Sequence, residues 1–141
     1  MEWARSGDDI MLVLEPGEEI HTSIQKLADK LDLNGAVITS GIGRTRNCIF
    51  GYMDADFVYH RKELEEPVEL VTLQGNLARH ENGSPFTHLH ATFSNRHISI
   101  RSTSELQNIN VSKKNFETIN KTNWPLTMIY WAFRMWAFRR V

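Results

Sequence analysis

The chain has 141 residues, 41% of them hydrophobic and 23% charged, with 16 basic against 17 acidic side chains and a formal net charge of −1. That length fits one domain able to bury about two thirds of the surface its unfolded form exposes. The balanced charge lacks the basic excess that phosphate neutralisation asks of a duplex-binding domain, and a single cysteine, Cys48, excludes an internal disulfide and a cysteine-rich zinc site.

The first residues, MEWARSGDD, are acidic and carry no apolar leader core. No run approaches the 18 or so apolar residues of a membrane span, so the expected location is the cytoplasm. IMLVL, 10–14, reads as a buried strand ended by Pro16-Gly17. Glu18 and Glu19 then fall where a helix N-terminus favours negative charge. In EIHTSIQKLADKL, Ile20, Ile24, Leu27 and Leu31 recur at helical spacing, with Lys26 and Lys30 towards the C-terminal end and Asn34-Gly35 as the stop. His21 lies just off that stripe and is expected to be solvated.

Ala36 to Thr39 predict a strand, Gly41 and Gly43 a bend, and Cys48 to Tyr52 another strand, with Cys48 as a small buried hydrophobe. Arg44 and Arg46 follow the two glycines, which raises a phosphate cradle. A dinucleotide fingerprint needs a third glycine where Arg46 stands and a helix opening there, so a glycine-relaxed turn or bulge is the expectation. FVYHRKE, 57–63, suits an edge strand with His60 solvated. VELVTLQGNLA, 68–78, suits a central strand with Gly75 as a bulge or close-contact point, and HENGSP, 80–85, a turn.

The next strand raises the question of chemistry. Side chains alternate along a strand, so His88, His90, Thr92 and Ser94 share one face while Leu89, Ala91 and Phe93 occupy the other. Two imidazoles at i and i+2 lie roughly 6.5–7 Å apart along the strand and hold a zinc ion if a third ligand arrives from a neighbouring strand. With a two-residue turn at Asn95-Arg96, Ser94 would face His97, His90 would face Arg101 and His88 would face Thr103. That register leaves His97 roughly 13 Å along the strand from His90 and sets Arg101 against the pair.

LEPGEEI (14–20), SGIG (40–43), GY (51–52), EEPVEL (65–70), LQGNLAR (73–79) and PFTHLHA (85–91) resemble, in order, the plants-and-prokaryotes conserved (PPC) domain, over about residues 10–96. The resemblance implies an α+β fold, a mostly antiparallel, mixed sheet with one main amphipathic helix. It also implies assembly into homotrimers and a DNA-binding label. Some members resemble zinc-dependent acetolactate decarboxylases, whose His-x-His pair is completed by a third histidine downstream. Carried over, the pair is His88 and His90. The third position falls on Ser104 without a gap, or on His97 if about seven residues are deleted, so the metal set is His88, His90 and His97, with zinc as the cofactor.

Residues 1–96 form the expected domain core, and 97–141 a divergent C-terminal part of the same domain, with an aromatic and cationic tail at 124–141. Residues 95–123 hold six asparagines against four in residues 1–94, so composition changes where the motifs end. The tail, WPLTMIYWAFRMWAFRR, reads foremost as a terminal helix docking on the sheet or on a neighbouring subunit, with a membrane-surface tail and an abnormal reading frame as alternatives. No AT-hook core, Arg-Gly-Arg, is present.

The reading that follows is a non-enzymatic, homotrimeric assembly and regulatory module associated with DNA or a DNA-binding protein, with no catalytic residue assigned and its small-molecule ligand unknown. One alternative is a zinc enzyme, with Glu81 and Arg79 as the nearby acid/base candidates. Another is direct DNA binding through Arg44, Arg46, Arg79 and Arg96 gathered on one face.

Overall fold

A computed structural model describes residues 1–94 together with strand segments at 100–103, 105–111 and 136–139. The first element is one that composition did not announce. Glu2–Ser6 (β1) and Asp9–Val13 (β2) pair antiparallel around the two residues Gly7 and Asp8. Ile10 and Leu12 of β2 point into the core.

The helix (α1, Ile20–Lys30) forms where the apolar spacing places it. Glu19 caps it, its carboxylate accepting from the backbone N–H groups of His21 and Thr22 at 3.0 and 2.7 Å. Those donors have no partner within the helix, so the cap stabilises its start by about 1 kcal/mol. Ile20, Ile24, Leu27 and Ala28 are buried, the larger three each contributing about 2 kcal/mol of transfer free energy. The opposite end carries Lys30, whose ammonium lies 5.5 Å from the Trp3 ring.

The centre of the fold is a long antiparallel ribbon. β3 (Ala36–Ile38) and β4 (Gly43–Met53) run up one side, and β5 (Tyr59–Leu64) and β6 (Val68–Arg79) run down the other. Ala36–Ile38 pair with Leu77–Gly75, Gly43–Thr45 with Leu70–Val68, and Cys48–Met53 with Leu64–Tyr59. The bend through SGIG therefore interrupts one line of pairing without changing its partner. The second strand begins at Gly43 rather than Cys48. Its register against β9 (Glu105–Val111) shifts between Arg46 and Ile49 and again between Ile49 and Phe50, with Asn47 at φ 51°. No helix opens after Gly43, so the phosphate-cradle reading fails on its structural condition.

β7 (Pro85–Ser94) returns along β6, then β8 (Ile100–Thr103) along β7, while β9 (Glu105–Val111) lies along β4. Pairing thus runs from β8 through β7 and β6 to β4 and β9. Phe93, Leu89, Leu73, Leu70, Cys48 and Thr45 of these strands are buried, and α1 lies against β7 and β9. The last described element, β10 (Trp136–Arg139), is a strand between β2 and β3. The terminal-helix expectation does not hold for these four residues, because β2 and β3 present two open hydrogen-bonding edges that an alternating segment fills. Among the described residues no helix is long and apolar enough to cross a membrane.

The β7–β8 register differs from the two-residue turn expected at Asn95-Arg96. Ser94 pairs with Ile100, Phe93 with Arg101 and Ala91 with Thr103, a register three residues away from the expected one. Arg101 is thus opposite Phe93, not His90.

Candidate functional site

β7 separates two environments one residue apart. Thr87, Leu89, Ala91 and Phe93 are buried, whereas Phe86 and His90 are exposed and His88 is half-buried. Across β6, His88 is opposite Asn76 and His90 opposite Gln74, and Asn76 is in turn opposite Val37 of β3. Opposed residues share a face. The outer face therefore sets two imidazoles beside two carboxamides, between aliphatic side chains at Val37 and Val71. Gln74 and Asn76 were not singled out in the sequence, although the alternation that places the histidines also places them.

The two rings converge. His88 Nε2 and His90 Nε2 are 2.9 Å apart, with ring centroids 4.8 Å apart and planes at 59°. This is closer than the strand repeat suggests, because long side chains lean along the strand. One ring nitrogen donates to the other. Two nitrogens bound to a tetrahedral zinc at 2.0–2.1 Å would stand roughly 3.3 Å apart, so the pair is close to a two-point metal grip. Among the described residues no cluster of three or more His, Cys, Asp or Glu forms. His97 and Ser104, the two candidates for the third position, lie outside the described residues.

Gly75 makes this arrangement possible. It is opposite Leu89, and a Cβ built on it would lie 2.0 Å from the His88 carbonyl oxygen. Only glycine lets β6 approach β7 here, which accounts for the close-contact role expected of LQGNLAR.

The other face of β7 meets the helix. His21 Nδ1 lies 2.7 Å from Thr87 Oγ1, and Gln25 Nε2 donates to the same hydroxyl at 3.2 Å. His21 is therefore a tertiary contact rather than a solvated residue. The buried Thr87 hydroxyl needs partners and finds them in these two helix side chains. Arg79 is equally committed. Its guanidinium donates to Leu33 O, Asp29 Oδ1, Gly83 O and Ala28 O, at 2.9, 2.8, 2.7 and 3.3 Å. This ties the helix C-terminus to the turn before β7 and leaves Arg79 neither an acid/base group nor a DNA contact. Glu81 is exposed in that turn.

The direct DNA set is not gathered within the protomer. Arg44 is opposite Glu69 at one end of β6 and Arg79 is ten residues away at the other, roughly 33 Å along a strand. Arg46 is half-buried and its Nε is enclosed by protein, while Arg96 lies outside the described residues. Cys48 is fully buried. Burial pushes its thiol up to about 11, partly offset by a hydrogen bond to Thr45 Oγ1 at 3.2 Å. It is therefore a packing residue and not a nucleophile.

The ribbon tip is built around Asp54. One carboxylate oxygen accepts from the N–H groups of Asp56 and Val58, both at 2.9 Å, and the other meets His60 Nε2 at 2.6 Å. The His60 hydrogen bond, then the Val58 N–H, hold this carboxyl below its usual range. Tyr52 stacks on His60 with centroids 5.3 Å apart. His60, expected to be solvated, is part of this bracket.

These features define a small α+β domain whose antiparallel sheet packs one helix against its buried face and carries a histidine pair on the other. The model of the Plants and Prokaryotes Conserved (PCC) domain matches residues 1–103, and the chain belongs to that family. No curated protein matches it. Among solved structures, a plant- and prokaryote-conserved (PPC) protein of Pyrococcus horikoshii superposes with a TM-score of 0.72 at 22% identity, covering 98% of this chain and 80% of its own. A "putative dna binding protein" of Bacteroides thetaiotaomicron gives 0.77 at 16% identity, covering 98% and 82%. A metal-containing protein of Archaeoglobus fulgidus gives 0.71 at 23%, again covering 98% and 82%. At these identities the likeness is one of fold.

Proposed function

We propose that the chain is a non-enzymatic PPC module that works as a homotrimer and takes part in regulation alongside DNA or a DNA-binding protein. The observation that carries this reading is the outer sheet face, where Val37, Ile42, Val71 and Phe86 are each between 42% and 48% exposed. Several large apolar side chains on one face mark a contact surface. The association with DNA is supported by the description of the Bacteroides relative of this fold. Light scattering of the full chain at micromolar concentration should give three times the 16.3 kDa chain mass, and a monomer throughout would refute the assembly. Duplex binding of the assembly should be measurable at about 50 mM salt, where counterion release favours it most; its absence there would remove DNA as a direct partner.

A second reading is favoured by the convergence of the two Nε2 atoms. His88 and His90 would hold a zinc ion together with a third donor, for which His97 is the sequence candidate. Such an ion polarises a bound water or carbonyl, and the residues' part is to present two ring nitrogens at nearly the required separation. Metal analysis of protein purified without an affinity tag should find one zinc per chain, lost in the His88→Ala, His90→Ala double variant. Absence of stoichiometric metal would end this reading and leave the first intact.

A further inference from the structure

The large apolar side chains that stand exposed among the described residues fall into two sets. Tyr52, Met53, Phe57 and Val58 form the ribbon tip, and Val37, Ile42, Val71 and Phe86 lie along the sheet. In each set, part of the patch is held outward by irregular backbone. Phe57 is 83% exposed and sits at φ 60°, a conformation that disfavours a bulky side chain and suits glycine. The Asp54 bracket keeps it there, with Phe57 N–H donating to Asp54 O at 3.2 Å. On the sheet, Val71 occupies the register shift between Leu70 and Thr72, and bulges of this kind re-aim a side chain. Ile42 follows Gly41, which presses so closely on Leu73 that a Cβ there would lie 2.8 Å from the Leu73 Cβ. One step beyond the Gly43–Leu70 pair, the register sets Ile42 beside Val71. Next to them Arg44 is exposed and makes no ion pair among the described residues, while the tip carries the exposed Asp56.

We propose that the ribbon tip of one copy of this chain seats on the Ile42–Val71 strip of the next, Phe57 and Val58 covering the two aliphatic side chains and Asp56 meeting Arg44. The chain carries both a knob and a floor of matching chemistry and opposite charge, so a second copy satisfies both. Knob and floor are different surfaces, so the contact is heterologous and closes into a ring when its rotation permits. This deepens the homo-oligomer reading above and rests on it, since it names the surfaces that make the assembly.

Sedimentation velocity of the full chain, with Phe57→Gly and Ile42→Asp, tests the contact. Glycine suits the backbone at position 57, so that variant removes the knob and keeps the ribbon. Ile42→Asp removes the floor at an exposed bend. The unmodified chain should sediment as an oligomer, and each variant alone should fall to the single-chain mass of 16.3 kDa, its association at least about thirtyfold weaker, as for loss of a central aromatic anchor. An equimolar mixture of the two should form a two-chain species, because one partner keeps its floor and the other its knob. Variants that stay oligomeric beside an oligomeric parent overturn the tip-to-floor contact alone. A mixture that stays at single-chain mass does the same. A monomeric parent overturns the homo-oligomer reading, and this contact with it.

Discussion

The two faces of β7 are one residue apart in sequence and built on opposite rules. On the inner face Leu89 and Phe93 are almost fully buried, and the one hydroxyl, Thr87, is held by His21 and Gln25 of the helix. On the outer face polarity is left unsealed, with His88 and His90 beside Asn76 and Gln74. The inner face stabilises the fold and the outer face is available for contact. A strand divides these roles cheaply because its side-chain period is two, and a one-residue slip would exchange them.

Replacement of Leu89 by alanine should have the largest effect on that division. A fully buried leucine leaves a cavity, and denaturant unfolding should show a loss of about 3 kcal/mol. Next comes Gly75→Ala. A methyl group aimed at a backbone carbonyl cannot be accommodated by a rotamer change, so about 1–3 kcal/mol should be lost. Here the imidazole resonances of His88 and His90 should shift as well, which separates a strand displacement from a simple loss of packing. Thr87→Val keeps shape but strands the groups of His21 and Gln25 that face it, costing about 1 kcal/mol. His88→Ala and His90→Ala should change stability by no more than about 0.5 kcal/mol, while altering zinc content if the pair binds metal. An unfolding midpoint that fell as far for these as for Leu89→Ala would erase the contrast between the faces.

The smallest effect belongs to the tip. Asp54 is held below the ordinary carboxylate value of 3.8 by His60 and the Val58 N–H. A depressed carboxyl contributes order above its unfolded value that is lost as pH falls through the folded one. Amide exchange at Asp56 and Val58 should therefore accelerate only below about pH 3.8, with the core unaffected. Acceleration already at neutral pH would show that the carboxylate does not hold the loop.

Much of the fold was legible because its signals are local. Ile20, Ile24 and Leu27 mark a helix by spacing alone, and the alternation of 87–93 assigns both faces of β7 correctly. Features set by distant partners were not legible. His21 looked solvated because nothing in its own neighbourhood shows that Thr87 lies across from it, 66 positions later. Arg79 reads as a free charge because Ala28, Asp29 and Leu33, which hold it, lie at a helix end 46 to 51 positions earlier. Asn95-Arg96 suggests a two-residue turn that would set Ser94 against His97, whereas Ser94 pairs with Ile100. That difference sets Arg101 opposite Phe93 rather than His90. The tail carries three competing readings, a docking terminal helix foremost, but Trp136–Arg139 instead answers the open edges of β2 and β3.

One feature of the ribbon bears on how copies of the chain meet. β5 lies at the end of the strand order, and its residues His60 to Glu63 are exposed and include both signs of charge. Charged rims of this kind discourage backbone-to-backbone growth, the route by which bare strands polymerise into fibrils. Association is thereby steered towards finite complexes held by side chains, and the fold gains a safeguard against runaway stacking at this edge.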